Sequence, residues 1–209
     1  MTRRLYLMRH GETLFNRQQR VQGFSDSPLT ERGAEQGRRA GLLLASLGIR
    51  PDYFCCSTSE RASDTLEYCM QGLFGEVRPY DRYKGLKEFN RGVFEGEPLY
   101  LMPKDHAVRN TYFLPFGGES DDASLERLSA TLTQVMLADG HETVLAVSHG
   151  GVCHLFMDRV REGGANERIG NCSIMVYDFE PDQADTSVPG AGFTYREMIL
   201  PEAVEGWSW

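Results

Sequence analysis

The sequence predicts a single three-layer α/β domain over residues 1–209: a mostly parallel six-stranded sheet, helices on both faces, and an antiparallel edge strand. Three observations carry this prediction. The 209 residues are 41% hydrophobic and 25% charged, enough to build one core without disulfides or metals. Short apolar runs alternate with helical periods, as repeated strand–helix–strand units require. Two of these runs end in the same step: Leu5-Tyr6-Leu7-Met8 leads into Arg9-His10-Gly11, and Val144-Leu145-Ala146-Val147 into Ser148-His149-Gly150.

In order, strands are expected at residues 4–8, 53–57, 77–80, 143–147, 173–179 and 193–199. Past Arg4 the first is a continuous apolar run rather than an alternating one, as in a strand covered on both faces. A helical stretch is expected to begin near Thr13 and Asn16. Thr30 caps a helix to Leu47, with Ala34, Leu42, Leu43 and Leu47 as its stripe and Gly48 and Pro51 closing it. Ser57-x-x-Glu60 reads as a capping box opening a helix to Gln71, stopped by Gly72. Leu125, Leu128, Leu132, Val135 and Met136 space a helix over 120–138, with Asp121 and Asp122 at its positive end. Val152, Leu155, Phe156 and Val160 form one face of another over 151–160. The polar link 180–192 suits an antiparallel return. Residues 97–118, punctuated by Pro98, Pro103 and Pro115, show no period and read as a loop or small cap over the site.

A net charge of −8 argues against a general nucleic-acid or anionic-membrane surface. Four apolar residues between Arg4 and Arg9 are too few for a signal peptide or a membrane span, so a cytoplasmic protein is expected. Five cysteines without C-x-x-C spacing read as reduced core thiols. A zinc site built from His10, Glu12 and His149 lacks recognisable ligand spacing, and no metal or other cofactor is expected. His106 and His141 sit in polar stretches and are expected at the surface.

Ligands of open α/β sheets bind beyond the carboxyl ends of the strands. If the two His-Gly strands are neighbours, about 4.8 Å apart, His10 and His149 can face one small anion. Arg9 beside His10 asks for an anion or carboxylate to answer it. Arg61 falls in the first turn of its helix, against the macrodipole. It either pairs with Glu60 or Asp64, or helps that terminus bind an anion. Gly150 and Gly151 let backbone amides approach a ligand closely. Glu88 lies in a glycine-bounded loop over 85–96 that emerges at the same edge, where Glu95 and Glu97 read as solvated.

Arg9-His10-Gly11-Glu12-Thr13, Asn16, Gln22-Gly23, Pro28-Leu29-Thr30-x-x-Gly33, Ser57-x-x-x-Arg61-Ala62-x-x-Thr65, Glu88, Glu95-Gly96, Gly118-Glu119-Ser120 and Ser148-His149-Gly150-Gly151 occur in that order. The set, spread over residues 3–178, resembles the phosphoglycerate mutase-like branch of the histidine phosphatase superfamily. The resemblance implies that His10 is a nucleophile forming a phosphohistidine and that Arg9, Arg61 and His149 bind phosphoryl oxygens. It further implies that Glu88 donates a proton to the leaving oxygen, and that Asn16, Gln22, Gly23 and the Gly150 amide line the pocket.

Cofactor-dependent mutases carry Arg-His-Tyr-Gly after the acidic residue, whereas this chain has Phe89-Asn90-Arg91-Gly92, and 88–119 is short for an insertion that shields a phosphoenzyme. The expectation is a phosphomonoesterase acting on small-molecule phosphate esters; a phosphoglycerate mutase and a non-catalytic phospho-ligand module are the alternatives. Lys104, His106, Arg109, Tyr112 and Phe113 are expected to select the substrate, and Trp207 and Trp209 to pack on the core. The sequence leaves the oligomeric state open, a homodimer included.

Overall fold

Strands apolar on both sides need cover on both faces, and the computed structural model, which describes residues 2–103, 110–161 and 167–201, supplies it. The main elements are β1 (Arg3–Arg9), α1 (Leu14–Arg17), α2 (Glu31–Ser46), β2 (Tyr53–Ser57), α3 (Glu60–Phe74), β3 (Asp81–Tyr83), α4 (Asp121–Leu137), β4 (Thr143–Ser148), α5 (Gly150–Val160), β5 (Ile174–Phe179) and β6 (Phe193–Ile199). Alternate residues of β1 divide between two cores. Leu5 and Leu7 pack with α4 and α5 side chains such as Leu128 and Phe156, while Tyr6 and Met8 pack with α2 and α3 side chains such as Leu44 and Leu66.

The sheet order is β3-β2-β4-β1-β5-β6. The first four strands are parallel, β5 runs antiparallel to β1, and β6 antiparallel to β5. This is the mixed sheet the sequence predicts, with antiparallel pairing at one edge. β1 and β4 are neighbours with Arg9 opposite Ser148, so His10 and His149 leave the sheet side by side.

Several local expectations need correction. The third strand is Asp81–Tyr83, not 77–80; its three residues are exposed or half-buried and leave no apolar trace to read. Ser57 and Glu60 form no capping box: Ser59 is the N-cap, and the Ser57 hydroxyl accepts from the Ser59 amide at 3.2 Å. α3 runs past Gly72 to Phe74 and ends at Gly75, which takes the left-handed conformation at φ +79°. Gly72 instead permits a close helix crossing, because a Cβ there would lie 2.0 Å from the Arg38 carbonyl oxygen of α2. For the same reason α2 buries Gly33, Gln36, Gly37, Ala40, Gly41 and Leu44, while Leu42 and Leu47 of the expected stripe are exposed.

Thr30 does cap α2, accepting from the Gly33 amide, and Ser120 caps α4. All five cysteines are buried and free. His141 is half-buried rather than on the surface: it stacks on Tyr53 with ring centroids 3.6 Å apart and donates to the Val135 carbonyl. Among the described residues no helix is long and apolar enough to cross a membrane. Lys104, His106, Arg109, Trp207 and Trp209 lie outside the described residues.

Candidate active site

The carboxyl ends of β1 and β4 bring the two histidines together, with ring centroids 5.3 Å apart and planes at 62°. The His10 amide continues the ladder by donating to the Ser148 carbonyl at 3.0 Å. The His10 ring is fixed by its own neighbour, for Nδ1 lies 2.7 Å from the Gly11 carbonyl oxygen. A carbonyl can only accept, so Nδ1 carries the proton and Nε2 of the neutral ring keeps its lone pair. Burial first, then the charges of Arg61 and Arg9, hold the His10 imidazole well below its ordinary value, against the opposing effect of the Gly11 bond. Burial, Arg61 and His10 push His149 down in the same way. Both rings are therefore uncharged at neutral pH.

Arg61 is wholly buried. Neither Glu60 nor Asp64 is its partner. The 23–26 loop holds it instead: Nη2 donates to the Gly23 carbonyl at 2.9 Å, and Nη1 to the Ser25 carbonyl at 2.9 Å and the Asp26 carboxylate at 2.8 Å. That loop is fastened by Glu95, which was expected to be solvated. Its carboxylate accepts from the amides of Gly23, Phe24, Ser25 and Arg91 and from the Ser25 hydroxyl. These bonds outweigh burial and lower the Glu95 pKa. Asp26 and Glu95 are thus supports that sequence reasoning missed, although the Glu95-Gly96 pair stands among the recognised motifs.

Glu88 sits at the mouth of α5, accepting from the amides of Gly151 at 2.8 Å and Val152 at 3.0 Å. Gly151 has to be glycine for this approach, since a Cβ would come within 2.7 Å of Glu88 Oε1 and closer still to the Phe89 ring. The loop bearing Glu88 is clamped from α4 by Arg127, which donates to the carbonyls of Gly85, Lys87 and Glu88 and to the Glu119 carboxylate. The buried Ser148 hydroxyl adds a bond to the Leu86 carbonyl at 2.8 Å.

These groups border a cavity of about 520 Å³ whose wall includes Arg9, His10, Asn16, Gln22, Glu88 and Gly150. Gly23 does not line it; its carbonyl works one layer back, on Arg61. Arg61 and His149 lie wholly buried behind the wall. Gly151 and Leu99 line it too, Leu99 from the segment expected to cover the site, and Arg20, His154, Glu167, Arg168 and Ile169 complete the wall and were not anticipated. Tyr112 and Phe113, expected to select the substrate, pack instead with Phe94 and Phe116 in an aromatic cluster. Among the described residues, four buried side-chain nitrogens here find no hydrogen-bond partner: Arg9 Nε, Arg61 Nε and both ring nitrogens of His149. Glu12 accepts from Thr30, and among the described residues no His, Cys, Asp and Glu side chains group to hold a metal ion.

The sequence profile described as the Histidine phosphatase superfamily (branch 1) matches residues 5–189. The chain belongs to that superfamily. A relative in Salmonella paratyphi B, named "Probable phosphoglycerate mutase GpmB", is 30% identical over 191 residues, 86% of each chain. The structure of phosphoglycerate mutase from Bacillus anthracis superposes with a TM-score of 0.77 at 22% identity, over 93% of this chain and 92% of that one, a likeness of fold. Mycobacterial glucosyl-3-phosphoglycerate phosphatase is 28% identical with a TM-score of 0.68, over 86% of this chain and 91% of its own.

Proposed function

We propose that this histidine phosphatase superfamily member is a phosphomonoesterase that hydrolyses small phosphorylated metabolites through a phosphohistidine. The observation that carries this reading is the group of buried nitrogens beside His10 that find no hydrogen-bond partner among the described residues. Buried donors are costly to leave unpaired, and the two arginine Nε–H groups with the single N–H of the neutral His149 ring are three donors for a phosphoryl group's three equatorial oxygens.

In the first half-reaction His10 Nε2 attacks phosphorus in line, and the bond from phosphorus to the alcohol oxygen breaks as Glu88 gives that oxygen its proton. In the second, Glu88 takes a proton from water as the water oxygen attacks phosphorus and the P–N bond breaks, freeing phosphate and restoring both residues. Arg9, Arg61 and His149 stabilise the charge on the transferring group, and Asn16, Gln22 and the Gly150 amide shape its pocket. The scheme requires no cofactor. It acts on a free small molecule, not on nucleic acid or membrane lipid, in the cytoplasm, and the chain can work as a monomer or a homodimer.

The Salmonella relative's name favours a second reading, phosphoglycerate mutase. The two differ in the fate of the phosphoryl group. A phosphatase releases inorganic phosphate from an ester without priming; a mutase exchanges phosphate between glycerate positions after priming by a bisphosphorylated glycerate. Rapid quenching with a chromogenic phosphate ester is expected to trap an acid-labile, base-stable phosphoenzyme that His10→Ala abolishes. Persistence of that species in the variant refutes the assignment of His10, and failure of the wild type to release phosphate from any ester refutes the hydrolase.

A further inference from the structure

We propose that the alcohol part of the substrate carries a second anionic group, a carboxylate or a further phosphoryl, and that Arg168 binds it. This rests on the phosphomonoesterase reading above and adds the substrate class. Beside the His10 cavity lies another of about 630 Å³, and the two share Arg9, Asn16, Leu99 and Arg168 in their walls. Such a pair of chambers suits a ligand with two recognition points, one at the reacting phosphoryl and one at its far end.

The charges sort the two points. Glu12, in the second chamber, is engaged by the Thr30 hydroxyl at 2.8 Å and lies 3.9 Å from Arg32. Glu167, next to Arg168 along the chain, pairs with Arg161 at 2.9 Å. The neighbouring carboxylates are thus committed elsewhere, and Arg9 and Arg168 form no ion pair among the described residues. Arg9 is held against the phosphoryl position by its bond to the Ile169 carbonyl at 2.7 Å. Arg168, exposed on the common wall, remains for a second anion, with a guanidinium fork matching either a carboxylate or a phosphoryl. Gln36 spends its side-chain oxygen on the Glu12 amide, which leaves its NH2 as the group it can offer in that chamber. Specificity then draws on residues leading into β5 as well as on Leu99 of the 98–116 segment.

The test compares kcat/KM for two substrate pairs, 3-phosphoglycerate with glycerol 3-phosphate and fructose 1,6-bisphosphate with fructose 6-phosphate, with p-nitrophenyl phosphate as a general ester. The wild type is expected to prefer the doubly anionic member of one pair by about 10- to 100-fold, the worth of one charge-assisted contact. The preferred pair tells carboxylate from phosphoryl. Arg168→Ala should erase most of that preference, Arg168→Lys keep part of it, and Arg168→Glu reverse it; circular dichroism confirms that each variant folds. Turnover of p-nitrophenyl phosphate with no preference in either pair, or a preference that survives Arg168→Ala, overturns the second-anion subsite alone. A wild type inert to all five esters overturns the phosphomonoesterase reading and the subsite with it.

Discussion

Replacing Glu95 with Gln keeps the shape of the side chain and changes what its two terminal atoms can accept. Oε1 takes the amides of Phe24 and Arg91; Oε2 takes the amides of Gly23 and Ser25 and the Ser25 hydroxyl. Whichever way the new amide turns, its NH2 faces two backbone N–H groups that cannot flip. Two donors left without an acceptor cost about 1–3 kcal/mol each. The exposed Phe24 amide recovers some of this from water, so a loss of about 2–4 kcal/mol is expected, or roughly 5–15 °C in melting temperature for a chain of this size.

The damage is directional. The 23–26 loop carries the carbonyls and the carboxylate that orient Arg61, so kcat on a chromogenic ester should fall together with stability. Thermal melts and steady-state kinetics on Glu95→Gln, with Glu97→Gln as the exposed control within about 0.5 kcal/mol of wild type, provide the assay. A Glu95→Gln protein that melts within 1 °C of wild type would refute the reasoning.

Two further outcomes follow from the same geometry. His10 and His149 both titrate below the ordinary histidine value in the folded protein, so below pH about 6.5 the unfolded chain binds more protons. Stability should therefore be full above that pH and fall on acidification, with a slope of up to about 2.7 kcal/mol per pH unit for two protons; urea unfolding that is flat between pH 5.5 and 7.5 contradicts buried neutral rings. Gly72→Ala should destabilise by about 1–3 kcal/mol, because the clash with the Arg38 carbonyl outweighs the gain in helix propensity, and a raised melting temperature would disprove the close crossing.

What the sequence made legible followed from burial. β1 and β4 are apolar on both faces, so their ends, and with them His10 and His149, are legible in the sequence, whereas their adjacency is a condition there that the β1–β4 pairing meets. β3 was placed too early because three residues at a sheet edge bury too little to leave a period. The α2 face was misread because helices in close contact select glycine and alanine, which a search for leucine stripes passes over. Glu95 and Asp26 were hidden for a different reason: a loop carboxylate bonded to distant backbone amides looks, in one dimension, the same as one facing water. The acceptor that sets the His10 tautomer was equally invisible, being the backbone of the next residue.

The reversed direction of β5 alters what borders the reaction centre. A parallel strand in that place would send its outgoing connection over the catalytic rim; β5 presents its incoming one, so Ile169, Gly170 and Asn171 arrive beside Arg9 just before the chain enters the sheet. Asn171 then ties this approach to the centre by donating to the His10 carbonyl. The rim thus has one segment anchored at Asn171 but solvent-facing at residues 167 and 168, where side chains can be exchanged while His10 keeps its footing.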